Sequence, residues 1–247
     1  MSASRSAQTI DIPRLEGASA GLTGEFVLPA GEGPWPGVVL VHEAFGVNDV
    51  MRRQAERFAR AGYIALMPDL FTEGGARKCL SQTFRELNSG TGRSFADIES
   101  ARQLLIARHD CTGEVGVIGF CMGGGFALAA ASLGFGVASA NYGRLPKEID
   151  RALAGACPIV GSYGGSDSSL KGAAKKLDDS LTRLGIDHDV KEYADAGHSF
   201  LNDAESGPPA LRFLMKRILG AGPNPEAATD AWHRIDAFFA EHLAAKS

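Results

Sequence analysis

A chain of 247 residues, 45% hydrophobic and 22% charged, carries enough apolar material to bury a full core, and its length suits one large α/β domain or two small ones. A formal net charge of −4 with 25 scattered Lys and Arg leaves no basic footprint for nucleic acid or an anionic membrane, so a small molecule is the expected partner. No apolar stretch suits a secretory leader or a membrane span, and the four cysteines lack C-x-x-C spacing; a cytoplasmic protein with no metal and no cofactor is expected.

In chain order, TGEFVLP (23–29) runs through the turn-rich AGEGPWPG into GVVLVH (37–42), which predicts an antiparallel edge hairpin. YIALMPD (63–69), EVGVIGF (114–120), VASANYG (137–143), CPIVGSYG (157–164) and HDVKEYA (188–194) are compact runs bounded by Gly, Pro or Asp, and each predicts a strand. The segment 71–95 between the second and third core strands reads as a lid. Leu170, Ala174, Leu177, Leu181 and Leu184 recur at helical steps and stop at Gly185, while Ala231, Ile235, Phe238 and His242 repeat the pattern near the end. Between these helices an irregular C-terminal stretch, 202–225, brackets a further helix carrying Arg212 and Arg217. Alternating strands and helices, with strands apolar enough for burial on both faces, predict the α/β class: one domain over 1–247 with a mostly parallel sheet flanked by helices.

The run GFCMGGG (119–125) lies between a strand and a helical run. Gly119-x-Cys121-x-Gly123 in that setting has the form of a nucleophile elbow with Cys in the usual place of Ser. The helix N-terminus that follows would aim free N–H groups at the sulfur and favour thiolate, and the amide of Met122 would form half of an oxyanion hole. A buried packing cysteine or a phosphate-binding turn reads the same glycines differently, although the run has neither the Lys-Ser/Thr of a P-loop nor G-x-G-x-x-G. Asp167 and His198 follow two later predicted strands, in the order nucleophile, acid, histidine. Taken singly, Asp167 also reads as a helix cap and His198 as a loop histidine; Asp195 is a rival acid.

These stretches, together with VLVHEAFGVNDVMRRQAERFARAGYIALMPDL (39–70) and ADAGHSF (194–200), resemble the dienelactone hydrolase (carboxymethylenebutenolidase) family of the α/β-hydrolase superfamily from about residue 20 to 245. The resemblance implies an α/β-hydrolase fold and a cofactor-free hydrolase of a small ester or lactone acting through a thioester. Cys121 would be its nucleophile, His198 its base, Asp167 the partner of that base, and Ala44 and Met122 its oxyanion amides. Glu43 would modulate the nucleophile, because a carboxylate beside the sulfur disfavours a free thiolate until substrate displaces it. Glu43 also reads as a helix cap or a partner of Arg52 or Arg53, and His42 reads as structural. In the family, arginines hold a substrate carboxylate, one of them four residues after the histidine; here that position is Asn202. Arg77, Arg85, Tyr142, Ser199, Asn202 and Arg212 are the candidate substrate contacts. A non-hydrolytic ligand-binding protein or a thiol switch is the alternative from a different class.

Overall fold

A computed structural model describes residues 6–244. Strands β1 (Gln8–Asp11), β2 (Thr23–Val27), β3 (Trp35–Val41), β4 (Ile64–Pro68), β5 (Cys111–Phe120), β6 (Ala138–Asn141), β7 (Ile159–Gly164) and β8 (His188–Tyr193) form one sheet in the order β1-β2-β4-β3-β5-β6-β7-β8. From β4 to β8 all neighbours are parallel, while β1 and β2 add antiparallel pairings at one edge.

The edge differs from the expected hairpin. β2 pairs with β4, not with β3, and its hairpin partner is β1. The reason lies in burial: Val38 to Val41 of β3 are almost wholly excluded from solvent, which requires strands on both sides and helices over both faces. β3 therefore takes a central place between β4 and β5. β1 escapes the sequence pattern because QTID is short and largely exposed, with no alternating apolar face.

Among the described residues the α-helices in chain order are α1 (Asp49–Arg60), α2 (Ala76–Ser89), α3 (Arg93–Ile106), α4 (Met122–Ala130), α5 (Ile149–Ala152), α6 (Ala173–Leu184), α7 (Pro209–Leu219) and α8 (Pro225–His242). α1 starts where the Asn48 side chain accepts from the Met51 amide, and it buries the stripe Met51, Ala55, Phe58, Ala59. Phe58 packs edge-on against Trp232 of α8 and tilts against Phe239. α6 buries Leu177 and Leu181 and ends at Gly185, whose φ of 65° is the left-handed turn the sequence signalled. α4, MGGGFALAA, is apolar nearly all round and is buried accordingly. The expected lid, 71–95, folds as α2 and the start of α3, with Cys79, Thr83 and Glu86 of α2 turned inward. No helix among the described residues is long and apolar enough to cross a membrane, and the four cysteines are free thiols.

Candidate active site

β5, β7 and β8 end on the same side of the sheet, as their parallel register requires, and the three residues of the expected triad lie beyond those ends, Cys121 at once and Asp167 and His198 in the loops that follow. Cys121 occupies the single step between β5 and α4 at φ 56° and ψ −114°, a conformation that L-residues avoid. Holding it costs on the order of 1–3 kcal/mol. The neighbouring glycines explain how the chain gets there. A Cβ on Gly119 would strike the Gly123 carbonyl, one on Gly123 would strike the Val41 carbonyl, and one on Gly124 would lie 2.6 Å from the Asn141 carbonyl oxygen. Backbone thus meets backbone on three sides of the turn, and the Cys121 N–H is tied to the Asn141 carbonyl at 3.0 Å.

Asp167 follows β7 and does two jobs at once. Its Oδ1 caps a short 3₁₀ turn by accepting from the Ser169 amide at 3.0 Å and from the Ser169 hydroxyl at 2.6 Å. Its Oδ2 lies 2.5 Å from Nδ1 of His198. Burial opposes ionisation of Asp167, but the hydrogen bonds from His198 and Ser169 prevail and hold its pKa below 3.8. His198 sits in the loop after β8, where its N–H donates to the Leu219 carbonyl at 3.0 Å and its carbonyl accepts from Gly222 at 2.9 Å. Burial disfavours the charged imidazole. Attraction to the Cys121 sulfur, hydrogen bonds to Asp167 and to Cys121, and the Asp167 charge outweigh it and push the pKa from 6.5 up to about 10.

Glu43, 1% exposed, is the second residue after β3, just ahead of the turn that leads to α1. Its Oε1 accepts from Asn48 Nδ2 and its Oε2 from Asn202 Nδ2, each at 3.3 Å. It is not paired with the arginines of α1: Arg52 binds Glu25 and Asp49, and Arg53 binds Asp203. Asn202 also accepts from the Tyr142 hydroxyl at 3.4 Å. Tyr142, itself at φ 42°, is fully buried with its ring centroid 5.2 Å from that of His198 and tilted 57° to it. Burial, then the charges of Glu43 and Cys121, raise its hydroxyl well above 10, so Tyr142 is a neutral donor that feels both groups. Among the described residues, the amides of Ala44 and Met122 donate to no backbone or side-chain acceptor.

A small recess of about 20 Å³ lies next to Ser199, lined by Ser199, Asn202, Arg212 and Met215 among others. Arg212 donates from Nε to the Gly207 carbonyl at 2.5 Å. The structure therefore brings four candidate substrate contacts together, Ser199, Asn202 and Arg212 directly and Tyr142 through Asn202. Arg77 and Arg85 do not join them: both stand exposed on α2, Arg85 donating to Ser81, because the buried face of that helix is Cys79, Thr83 and Glu86. Metal-ligand spacing is absent from the sequence, yet folding brings Asp187, Glu241 and His242 within 4.8 Å of one another at the opposite end of the sheet, before β8 begins. Two of the three are exposed, and His242 already faces Asp187 at 3.3 Å. The cap of α1 expected at Glu43 is instead Asn48, because its side-chain oxygen reaches the Met51 amide while its Nδ2 donates to Glu43.

A model of the dienelactone hydrolase family matches residues 22–243. The carboxymethylenebutenolidase of Pseudomonas putida is 27% identical over 201 residues, which span 74% of this chain and 83% of that one. Among solved structures, a dienelactone hydrolase-like promiscuous phosphotriesterase from metagenomic libraries superposes with a TM-score of 0.77 at 24% identity, covering 97% of this chain and 100% of its own. The dienelactone hydrolase of Anabaena variabilis does so with a TM-score of 0.70 at 21% identity, again over 97% and 100%. At these identities the two structures establish a shared α/β-hydrolase fold.

Proposed function

The chain belongs to the dienelactone hydrolase family, hydrolases of ester and lactone bonds, and from that membership we propose a cysteine-dependent hydrolase of small lactones or carboxylic esters. The observation that carries the reading is Cys121 at a left-handed φ between β5 and α4, facing a histidine whose far nitrogen is bound by Asp167. In acylation the Cys121 thiolate adds to the carbonyl carbon, and the oxygen that becomes negative is received by the free amides of Ala44 and Met122. Collapse breaks the C–O bond, the departing oxygen takes the proton of His198, and a thioester remains. In deacylation His198 accepts a proton from water, hydroxide adds to the thioester carbon, and Cys121 leaves as thiolate with release of the acid. Asp167 holds the imidazole in the tautomer both steps need.

Thiolates are good nucleophiles and good leaving groups, so substrates with an activated leaving oxygen, such as enol lactones and aryl esters, suit this site. Arg212 is the cation that lines the recess, and a substrate carboxylate would meet it there. The test is steady-state hydrolysis of dienelactone and of neutral aryl esters under reducing conditions, with acid-quenched mass spectrometry for an acyl adduct on Cys121. Turnover by the wild type that is abolished in Cys121→Ala and His198→Ala, both still folded, supports the reading. Turnover that survives in Cys121→Ala ends it.

A further inference from the structure

His42 is the last residue before Glu43, it is wholly buried, and both ring nitrogens are engaged with backbone. The Leu70 amide, at the start of the crossover to α2, points at Nε2 from 3.1 Å. Nδ1 lies 2.8 Å from the Glu43 carbonyl oxygen. An amide can only donate, so Nε2 must carry a lone pair, and the single proton of the neutral ring belongs on Nδ1, where it is donated to Glu43. A second proton on the ring would put N–H against N–H at Leu70. Burial disfavours that cation too, outweighing the Glu43 carbonyl and the nearby carboxylates of Asp69 and Glu43, and lowers the pKa.

The Glu43 carbonyl is therefore held from two sides, by His42 and by the Gly46 amide at 3.0 Å. That carbonyl and the Ala44 N–H belong to one peptide unit. In a trans peptide the two bonds are coplanar and point in opposite directions, so fixing the carbonyl fixes the amide. We propose that His42 is a positioning residue: by locking the Glu43–Ala44 peptide plane it aims the Ala44 N–H at the oxyanion, while its other nitrogen fastens the same loop to the start of the crossover at Leu70. The proposal rests on the hydrolase reading in one respect, the use of the Ala44 amide by an oxyanion.

Two variants separate this role from simple packing. His42→Phe fills the space and donates nothing. His42→Asn places an amide donor where Nδ1 stood and, like Phe, leaves the Leu70 amide without its acceptor. Both should lose stability, but only His42→Phe should lose kcat, by about tenfold to a hundredfold with KM within about twofold, given that deleting an oxyanion donor outright costs about 10² to 10³. His42→Asn should recover most of that loss. The ratio of rates on an ester and its thionoester, whose sulfur accepts hydrogen bonds poorly, should fall in His42→Phe and return in His42→Asn. Wild-type kcat in His42→Phe, or equal losses in both variants, overturns the proposal. Nitrogen-15 NMR of the ring supplies an arm that needs neither variant nor substrate: an Nδ1-protonated tautomer is expected, and an Nε2-protonated ring overturns the assignment. If the wild type hydrolyses no ester, the hydrolase reading fails, and the peptide-plane lock stands or falls on the tautomer alone.

Discussion

The titration of His198 tests the electrostatics of the site without any substrate. Between 6.5 and about 10 lies about 5 kcal/mol of preference for the charged ring, at 1.36 kcal/mol per pH unit. Burial works against that preference, so the attractive contributions must exceed it, and they come from two residues, Cys121 and Asp167, with the attraction of the sulfur foremost. Removing the sulfur in Cys121→Ala leaves burial and Asp167 alone to contend. The ring should then titrate at least about two pH units lower, a loss of about 2.7 kcal/mol. Cys121→Ser, which keeps a hydrogen-bonding atom but no charge at neutral pH, should fall between. The assay is the shift of the His198 Cε1–H signal with pH in the three proteins, the other histidines serving as internal controls. A His198 in Cys121→Ala that still titrates within about one unit of the wild type would show that Asp167 alone sets the charge, and the contribution assigned to the sulfur would have to be abandoned.

The same shift has a consequence for stability. Because folding raises the His198 pKa, its contribution is complete below about 6.5 and is lost as pH climbs through about 10, with a slope of up to about 1.4 kcal/mol per unit in urea unfolding; Cys121→Ala should flatten that window. Asp167 has the opposite sign: its stabilisation is present above 3.8 and is lost as pH falls below it, so Asp167→Asn should weaken the dependence of unfolding on acid. That variant should also lower kcat by about 10² to 10⁴ with little change in KM, since an amide permits the wrong imidazole tautomer; kcat within threefold of wild type would remove Asp167 from the mechanism. Gly123→Ala should cost about 3 kcal/mol, about 10 °C in Tm, because the added methyl meets the Val41 and His42 carbonyls and only backbone can yield. A Tm within 2 °C of wild type would mean the turn is softer than its contacts imply.

Much of the fold and of the candidate triad was readable in the chain because each signal was local. β5 announces itself as EVGVIGF, the turn by Gly119 and Gly123, and the two partners by strand-end positions in a fixed order. What could not be read depends on pairs far apart in sequence. Asn202 and Glu43 are separated by 159 positions, and no periodicity relates them. The partner of β2 is decided by which strand the core buries, which a list of strands does not reveal. The arginines of α2 illustrate a different limit: their charge invites a substrate role, but the helix phase set by Cys79, Thr83 and Glu86 turns Arg77 and Arg85 to solvent. His42 read as structural because the bond that gives it a task runs to its own neighbour's carbonyl, which no residue pattern marks.

The site is held by main chain more than by side chains. Cys121 keeps its strained φ because its own N–H is bound to Asn141 and because Gly119 and Gly123 sit against carbonyls with no room to relax. His198 is clamped through its N–H and its carbonyl by the end of α7 and the turn after it, and Ala44 is aimed through the carbonyl of Glu43. Each such bond contributes about 0.5–1.5 kcal/mol, so a handful offsets the 1–3 kcal/mol stored at the elbow. Substitutions should therefore divide by what they touch. Glycines and backbone-binding side chains govern whether the turn exists and should register first in stability, whereas replacements of Cys121, His198 and Asp167 should register most strongly in rate. Glu43 stands between these groups: its buried carboxylate ties the side-chain amides of Asn48 and Asn202 together, so its replacement should register in both stability and rate.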